Sequence, residues 1–591
     1  MLNSLRRFAA PAPRLPLSAT RFDVSLAVQI SGPDELAALQ PAWSRSLSAD
    51  FEVESLAGRL CPVLLADHSV AIFALAEHAG SDQADELARR IAESGYRLAM
   101  PQRYILAAPL LLAIARNQMP VQPGAGGGDL ALAQTRTALA GAFQDIIEWG
   151  VRHGASDVHL NVRMNEPESE IKYTLAGRYV TPERFRRMPT RTLVDMLSVA
   201  WMDIHGGNGA VFDPLIEQQG KLSKQVDGRM VLLRWASLAA DEGPSVCLRL
   251  LKREAAIGQS LGQLGYLPHQ VNAIERAMLS EGGAIVFAGT VGSGKSTTLA
   301  SLIASIPEHR KIITVEDPVE YLIPRAIQNT VVRDLDTTEH DAYAAKLRTL
   351  KRSAMNDVLL GEIRDRESGR AFMDLAGSGV NVYTTTHAPS AMLVGERLAS
   401  DFIGVSRDFL SCPGVLKLLV YQVLLPRLCP FCALPAARLL AGGEGLDGRH
   451  REGAAWRAWL DRLRRLYACD PDSLRIRNLQ GCRHCRNPQA PALDGYAGRT
   501  VAAEYIEPAL HPGFLEGIQR ADSSKYGEFR HTAQPQAGSS AMETGTAMEC
   551  AVYKALCGEI DPREIEVRFQ SFETYERLLR VHGDHGLRVV A

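Results

Sequence analysis

The chain has 591 residues, 46% of them hydrophobic and 22% charged, the proportions of ordinary globular protein. That length exceeds what one core serves, so three or four domains are expected. A formal net charge of −2 gives no global reason to expect a nucleic-acid partner, and no stretch approaches the ~18 consecutive apolar residues of a membrane span. Basic residues in Met1–Arg7 are followed by Pro11, Pro13 and Pro16 and not by an apolar core, which is not a signal-peptide pattern. A cytoplasmic chain is expected.

Residues 1–120 come first. Short apolar runs such as Val63-Leu64-Leu65 and Val70-Ala71-Ile72-Phe73 alternate there with amphipathic stretches, so a small α+β domain without recognisable chemistry is expected. Residues 121–139 open on a Pro- and Gly-rich run and read as a linker. A second α+β domain is expected over 140–255. It starts with an amphipathic helix at Ala142–Val151, and strands are expected at Asp157–Leu160, Ile171–Leu175, Met230–Arg234 and Val246–Leu251.

Next comes Gly289-Thr290-Val291-Gly292-Ser293-Gly294-Lys295-Ser296, which fits G-x-x-x-x-G-K-[ST]. A short apolar strand, Ala284–Ala288, precedes it, and a helix over Thr297–Ile306 follows. In that setting the backbone N–H groups and the helix N-terminus converge on phosphate oxygens. Lys295 would reach the β- and γ-phosphates, and the Ser296 hydroxyl would ligate Mg²⁺. A nucleoside triphosphate is the expected ligand. Three further apolar strands end in polar residues. Ile312–Val315 runs into Glu316-Asp317-Pro318-Val319-Glu320-Tyr321, and Val358–Leu360 into Gly361-Glu362-Ile363-Arg364-Asp365. Val382–Thr386 ends at His387. Carboxylates at the ends of strands beside a P-loop can hold Mg²⁺ through water or activate the attacking water. A solvated acidic loop and a structural histidine are the plainer readings.

Four of the ten cysteines form two Cys-x-x-Cys pairs, Cys429/Cys432 and Cys482/Cys485. Four thiolates suit a closed tetrahedral Zn²⁺ site of structural role; the alternative is two unrelated pairs of buried thiols. Between them, Trp456, Trp459, Leu460, Leu463 and Leu466 share one face of an arginine-rich helix. That face is either a docking surface for a membrane platform protein or anionic lipid, or the inner face of a helix packed on its own domain. Residues 513–591 read as a helical tail, with a flexible break at 533–548.

Taken together, the motifs resemble the type II secretion and type IV pilus assembly ATPase family. The carriers are Gly154–His159, the P-loop with Thr297-Thr298-Leu299, Thr314–Tyr321, Gly361–Asp365 and Thr386-His387, in the family's order. Arg427-Leu428-Cys429 and Gly495–Arg499 resemble the flanks of its zinc element. The resemblance implies an α/β fold: a RecA-like P-loop ATPase domain over 256–512, carrying a zinc element at 426–500. A PAS-like α+β domain (140–255) and the additional N-terminal α+β domain would precede it. It further implies ATP hydrolysis with Glu320 as general base, Glu362 as the Walker B glutamate and His387 as the later histidine of the His box. Gly289–Thr297 would be the nucleotide contacts. Arg234 and Arg249, supplied by a neighbouring subunit of a homohexamer, would complete the site. ATP, Mg²⁺ and structural Zn²⁺ are the implied cofactors. The implied setting is cytoplasmic and peripheral to the inner membrane, against a platform protein, with pilin polymerisation or protein secretion as output. Conjugative transfer by the same motor, or a nucleic-acid translocase, are the alternatives. The chain departs from the family's pattern at Gly379-Val380-Asn381, before His387, at Ala354-Met355-Asn356, before Asp357, and at Val423.

Overall fold

The structure is a computed structural model that describes residues 22–106, 108–115, 128–252, 258–331, 342–522 and 545–583, apart from 31–34, 37, 54, 55, 57 and 58. Near the N-terminus a five-stranded sheet takes the order Val28–Ile30, Arg97–Leu106, Ser69–Ala74, Leu60–Leu65, Trp43–Ser46. Ser69–Ala74, buried at every position, is its central strand, as a run of consecutive apolar residues requires when both faces are covered. Arg59 pairs with Glu168, tying this sheet to the next.

The second sheet is antiparallel throughout, in the order Gln218–Val226, Arg229–Leu238, Ser245–Lys252, Ala155–Asn161, Glu168–Leu175, Arg178–Val180, with Met188–Pro189 pairing beside Glu168–Leu175. Burial alternates residue by residue along Glu168–Leu175, with Ile171, Tyr173 and Leu175 inward. The helix expected at Ala142–Val151 runs from Gly128 to Arg152, so it takes in residues that composition assigns to a linker. The run after Gly128 is rich in alanine and leucine, the strongest helix formers, and nothing in it breaks a helix.

The largest sheet has seven strands in the order Ile327–Thr330, Ile312–Glu316, Asp357–Leu360, Asn381–Thr386, Ala284–Ala288, Leu416–Leu428, Tyr496–Ile506. All neighbours are parallel except the last pair. Apolar clusters fill both faces, as a parallel sheet demands. Consequently the P-loop strand lies in the interior, flanked by Asn381–Thr386 and Leu416–Leu428, and the carboxyl ends of its parallel neighbours converge on one edge.

The cysteine-bearing segment is inserted between the two long antiparallel strands, Leu416–Leu428 and Tyr496–Ile506. Within it the arginine-rich helix spans Gly453–Tyr467 and turns Trp456, Trp459, Leu460 and Leu463 inward. Trp459 packs on Phe572, and Arg462 and Arg465 pair with Glu576 of the tail helix Phe572–Gly583. The apolar face is thus covered by the chain's own tail, and the reading as an internally packed helix applies. Among the described residues the tail has three further helices, Pro512–Arg520, Ala547–Leu556 and Pro562–Arg568. Of the break expected at 533–548, residues 533–544 lie outside the described residues, and 547–548 already belong to a helix. Among the described residues no helix is long and apolar enough to cross a membrane.

Candidate nucleotide-binding site

The P-loop wraps from the end of Ala284–Ala288 into a helix, Lys295–Ala304. Gly289 is where a side chain is excluded: its φ is +151°, and a Cβ would lie 2.5 Å from both the Gln422 carbonyl and Ser293 Oγ. Lys295 is nearly buried, and its ammonium donates to the carbonyls of Gly289 (2.7 Å) and Thr290 (3.1 Å). Burial pushes its pKa down to about 8, against the opposing pull of Glu362 and Glu320. The Ser296 hydroxyl is exposed at the mouth of the site, where a hydrated cation could reach it.

The strand ends deliver the carboxylates. Glu316 is buried, accepts from Thr314 Oγ1 at 2.6 Å and Gln328 Nε2 at 3.2 Å, and is pushed up in pKa by burial. Asp317 pairs with Arg364 at 2.7 Å. The Glu320 carboxylate, by contrast, faces Lys295 and Arg249 across the cavity without a direct side-chain partner among the described residues. Gly361, ahead of Glu362, has little room for a side chain. A Cβ there would sit 3.3 Å from Glu316 Cα and 3.4 Å from the Val315 carbonyl, so the glycine lets the Glu362 turn pass close to its neighbour.

Glu362 meets His387. The imidazole Nε2 is 2.8 Å from Glu362 Oε1, and Nδ1 is 3.0 Å from the Gly289 carbonyl. A neutral ring has one N–H, so both contacts are satisfied only by an imidazolium or by a proton on Glu362. Burial pushes the Glu362 pKa up, but the His387 hydrogen bond, together with Arg364 and Lys295, holds it below its ordinary value. The pair therefore ties the Walker B carboxylate to the first carbonyl of the P-loop.

The second domain closes the opposite wall. Arg234 and Arg249 face each other across adjacent strands and line the same cavity as the P-loop of their own chain, a space of about 880 Å³. Arg249 Nε donates to Asp157 Oδ1 at 3.0 Å, and Asp157 and Glu320 raise its pKa against the effect of burial. Within this chain both arginines line the P-loop cavity, strands Arg229–Leu238 and Ser245–Lys252 supplying that wall.

Sequence reasoning missed several lining residues. Gln422, fully buried, donates to the Ser293 carbonyl at 2.8 Å and accepts from Tyr266 at 2.5 Å, bracing the P-loop from behind. Its one visible signal is an amide inside an apolar run. Tyr321 bonds Thr297 Oγ1 at 3.0 Å, and Arg499 stands beside Tyr321 with its pKa pushed down by burial. Arg178 and Arg568 also reach the cavity, from the second domain and the tail. Arg568 donates to Thr290 Oγ1 at 2.5 Å. Tyr321 and Arg499 lie in motifs the sequence shows, but nothing local marks Arg178 or Arg568.

The departures lie elsewhere. Asp357 starts its strand fully buried, clamped by Arg310 at 2.7 and 3.0 Å and contacted by Asn381 Nδ2 at 3.3 Å and Tyr383 OH at 3.2 Å. Asn381 also accepts from Lys417 at 3.0 Å. This network sits at the amino end of the strands, opposite the P-loop, so Asn356, Asp357 and Asn381 do not touch the triphosphate cradle.

The four cysteines converge, all Sγ atoms lying within 4.8 Å of one another. Cys429–Cys482, Cys482–Cys485 and Cys432–Cys485 are 3.9, 3.8 and 3.6 Å apart. Sulfurs around a tetrahedral zinc with ~2.3 Å bonds would be about 3.8 Å apart, so the donor set fits that ion. Backbone N–H groups of Cys482 and Gly495 donate to Cys485 Sγ at 3.2 and 3.3 Å and hold that sulfur in place.

The chain is similar to several known proteins. The Type II secretion system protein E of Pseudomonas aeruginosa is 29% identical over 429 residues, 72% of this chain and 78% of that protein. The Type II secretion system ATPase E of Vibrio cholerae is 31% identical over 293 residues, 48% of this chain and 54% of its own length. The solved structure of the pilus retraction motor PilT with bound ADP overlaps at a TM-score of 0.43 and 20% identity, over 73% of this chain and 98% of that one. Residues 134–548, well over half of the sequence and including the P-loop, both carboxylates, His387 and all four cysteines, match the family described as Type II/IV secretion system protein, and the chain belongs to that family.

Proposed function

We propose that this chain is a cytoplasmic, membrane-peripheral hexameric ATPase that drives pilin polymerisation or type II-like secretion through an inner-membrane platform protein. One observation carries the reading: Lys295, Glu320, Glu362 and two arginines of another domain line one cavity of about 880 Å³ around the P-loop. Such a cavity between domains lets nucleotide occupancy change the domains' relative position, which is how a hydrolase becomes a motor.

In this reading Gly289–Thr297 cradle the phosphates, and Lys295 exchanges its carbonyl partners for β- and γ-phosphate oxygens. Mg²⁺, for which the Ser296 hydroxyl and the nearby carboxylates offer oxygen ligands, supplies neutralisation of the phosphate charge when bound. Glu320, without a direct side-chain partner among the described residues, orients the attacking water and accepts its proton. Glu362 and His387 hold the polar wall on the γ-phosphate side, and Arg234 and Arg249 counter the charge that develops in the transition state. The Cys₄ cluster would hold Zn²⁺ structurally, because a closed shell leaves no open position for substrate.

ATP turnover by the full chain tests this reading, with and without DNA. Glu320→Gln and Glu362→Gln should each lower kcat by about 10²-fold or more, the range for a lost general base or transition-state carboxylate, and DNA should leave turnover unchanged. Turnover within about threefold of wild type in both variants would refute the assignment.

A further inference from the structure

The segment 559–568 of the tail touches four parts of the molecule. Its backbone pairs with Arg427 and Leu428 of the large sheet. Asp561, fully buried, accepts from the Arg477 backbone at 2.8 Å and from the Arg563 guanidinium at 2.6 Å, which fixes the segment to the zinc element. Glu564 takes Arg178 of the second domain at 2.5 Å and also bonds the Tyr496 hydroxyl. At its end, Arg568 donates to Thr290 Oγ1 at 2.5 Å.

The geometry points to Arg568 as a further nucleotide-contacting residue: we propose that the tail helix delivers its guanidinium to the terminal phosphate of bound ATP. This rests on the ATP-hydrolase reading above and extends it to a residue outside the span 134–548 that carries the family match. Three observations support it. Thr290 directly follows Gly289, whose carbonyl takes His387 and Lys295, and Arg568 lines the same cavity as Lys295 and Glu362. Among the described residues a neutral hydroxyl is the only hydrogen-bond partner of this exposed guanidinium, leaving most of its five donors for an incoming anion. Its backbone, meanwhile, is held by the buried Asp561 and Glu564, so the side chain starts from a fixed point at the cavity rim. A doubly charged phosphoryl group is a far better partner for a planar guanidinium than a hydroxyl is. Arg568 would therefore leave Thr290 for the γ-phosphate, and through Glu564 and Arg178 the same segment would carry that change to the second domain.

The test compares wild type, Arg568→Gln and Arg568→Lys full-length chains by calorimetry with Mg²⁺ and either ADP or a non-hydrolysable ATP analogue, alongside ATP turnover and thermal melting. Arg568→Gln should bind the analogue about tenfold or more weakly and lose tenfold or more in kcat, as expected for a lost charge-assisted fork, while ADP binding stays within about twofold. Arg568→Lys should recover part of both losses. Analogue binding within about twofold of wild type, or equal weakening of analogue and ADP, would overturn the proposal. A wild-type chain without ATP turnover would instead refute the hydrolase reading itself, so the two failures are distinguishable.

Discussion

At the residue scale, the site is a set of charges whose partners are provisional. Lys295 spends its donors on the Gly289 and Thr290 carbonyls, and burial depresses its pKa to about 8. Phosphate oxygens would restore its charged form and raise that value. Nucleotide binding above pH 8 should then take up close to one proton, and binding at pH 7, where Lys295 is already charged, should take up little. Calorimetry in two buffers of different ionisation heat reads this directly; equal uptake at pH 7 and pH 8.5 would contradict it. An acidic stretch after each of two apolar strands was legible in the sequence, while the choice of Glu320 and Glu362 within them rested on the family resemblance. Arg178 and Arg568, which reach the cavity, and Gln422, which braces the loop from behind, were not legible, because each sits on an element whose neighbours are set by the fold.

At the element scale, the cysteine-bearing insertion is a structural clip. It closes the excursion between two strands that are paired along Leu419–Leu428 and Tyr496–Ile506, and its helix is covered by the tail. Replacing Cys482 with Ser should reduce bound zinc from about one per chain to a small fraction and lower the melting temperature, since metal-binding free energy of such a site is folding free energy. Zinc content by atomic absorption and a melting curve check it, and an unchanged stoichiometry would exclude the site. The two strands that bracket the insertion escaped the sequence reading. Leu416–Leu428 is interrupted by Gln422 and Pro426, and its partner follows only after the whole insertion, so no local pattern announces the pair.

For the whole molecule, the second domain and the tail meet over the nucleotide cavity through Arg178, Glu564 and Tyr496. Glu564 is 8% exposed and Arg178 30%, so water screens this contact only in part. A double-mutant cycle with Arg178→Gln and Glu564→Gln should give a coupling of about 1–3 kcal/mol in thermal or denaturant unfolding, the range for a hydrogen bond to a charged group. Additive effects would mean that the contact carries no interaction between the domains. Arg59–Glu168 links the N-terminal sheet to the second domain, so the three α/β parts are joined by ion pairs as well as by chain.

The sequence by itself determined the ligand class, the strands that carry Glu316–Glu320, Glu362 and His387, and the four zinc-type cysteines. Those signals are local: a loop whose glycines and lysine are contiguous, apolar runs that end in acids, and pairs two residues apart. The tertiary structure alone decided that Arg234 and Arg249 face their own chain's P-loop, that Asp357 and Asn381 belong to a network at the far end of the sheet, and that the tail reaches Thr290. Each of these depends on which strands and helices lie side by side. That is set by burying apolar faces between segments hundreds of residues apart, and no window of sequence contains it.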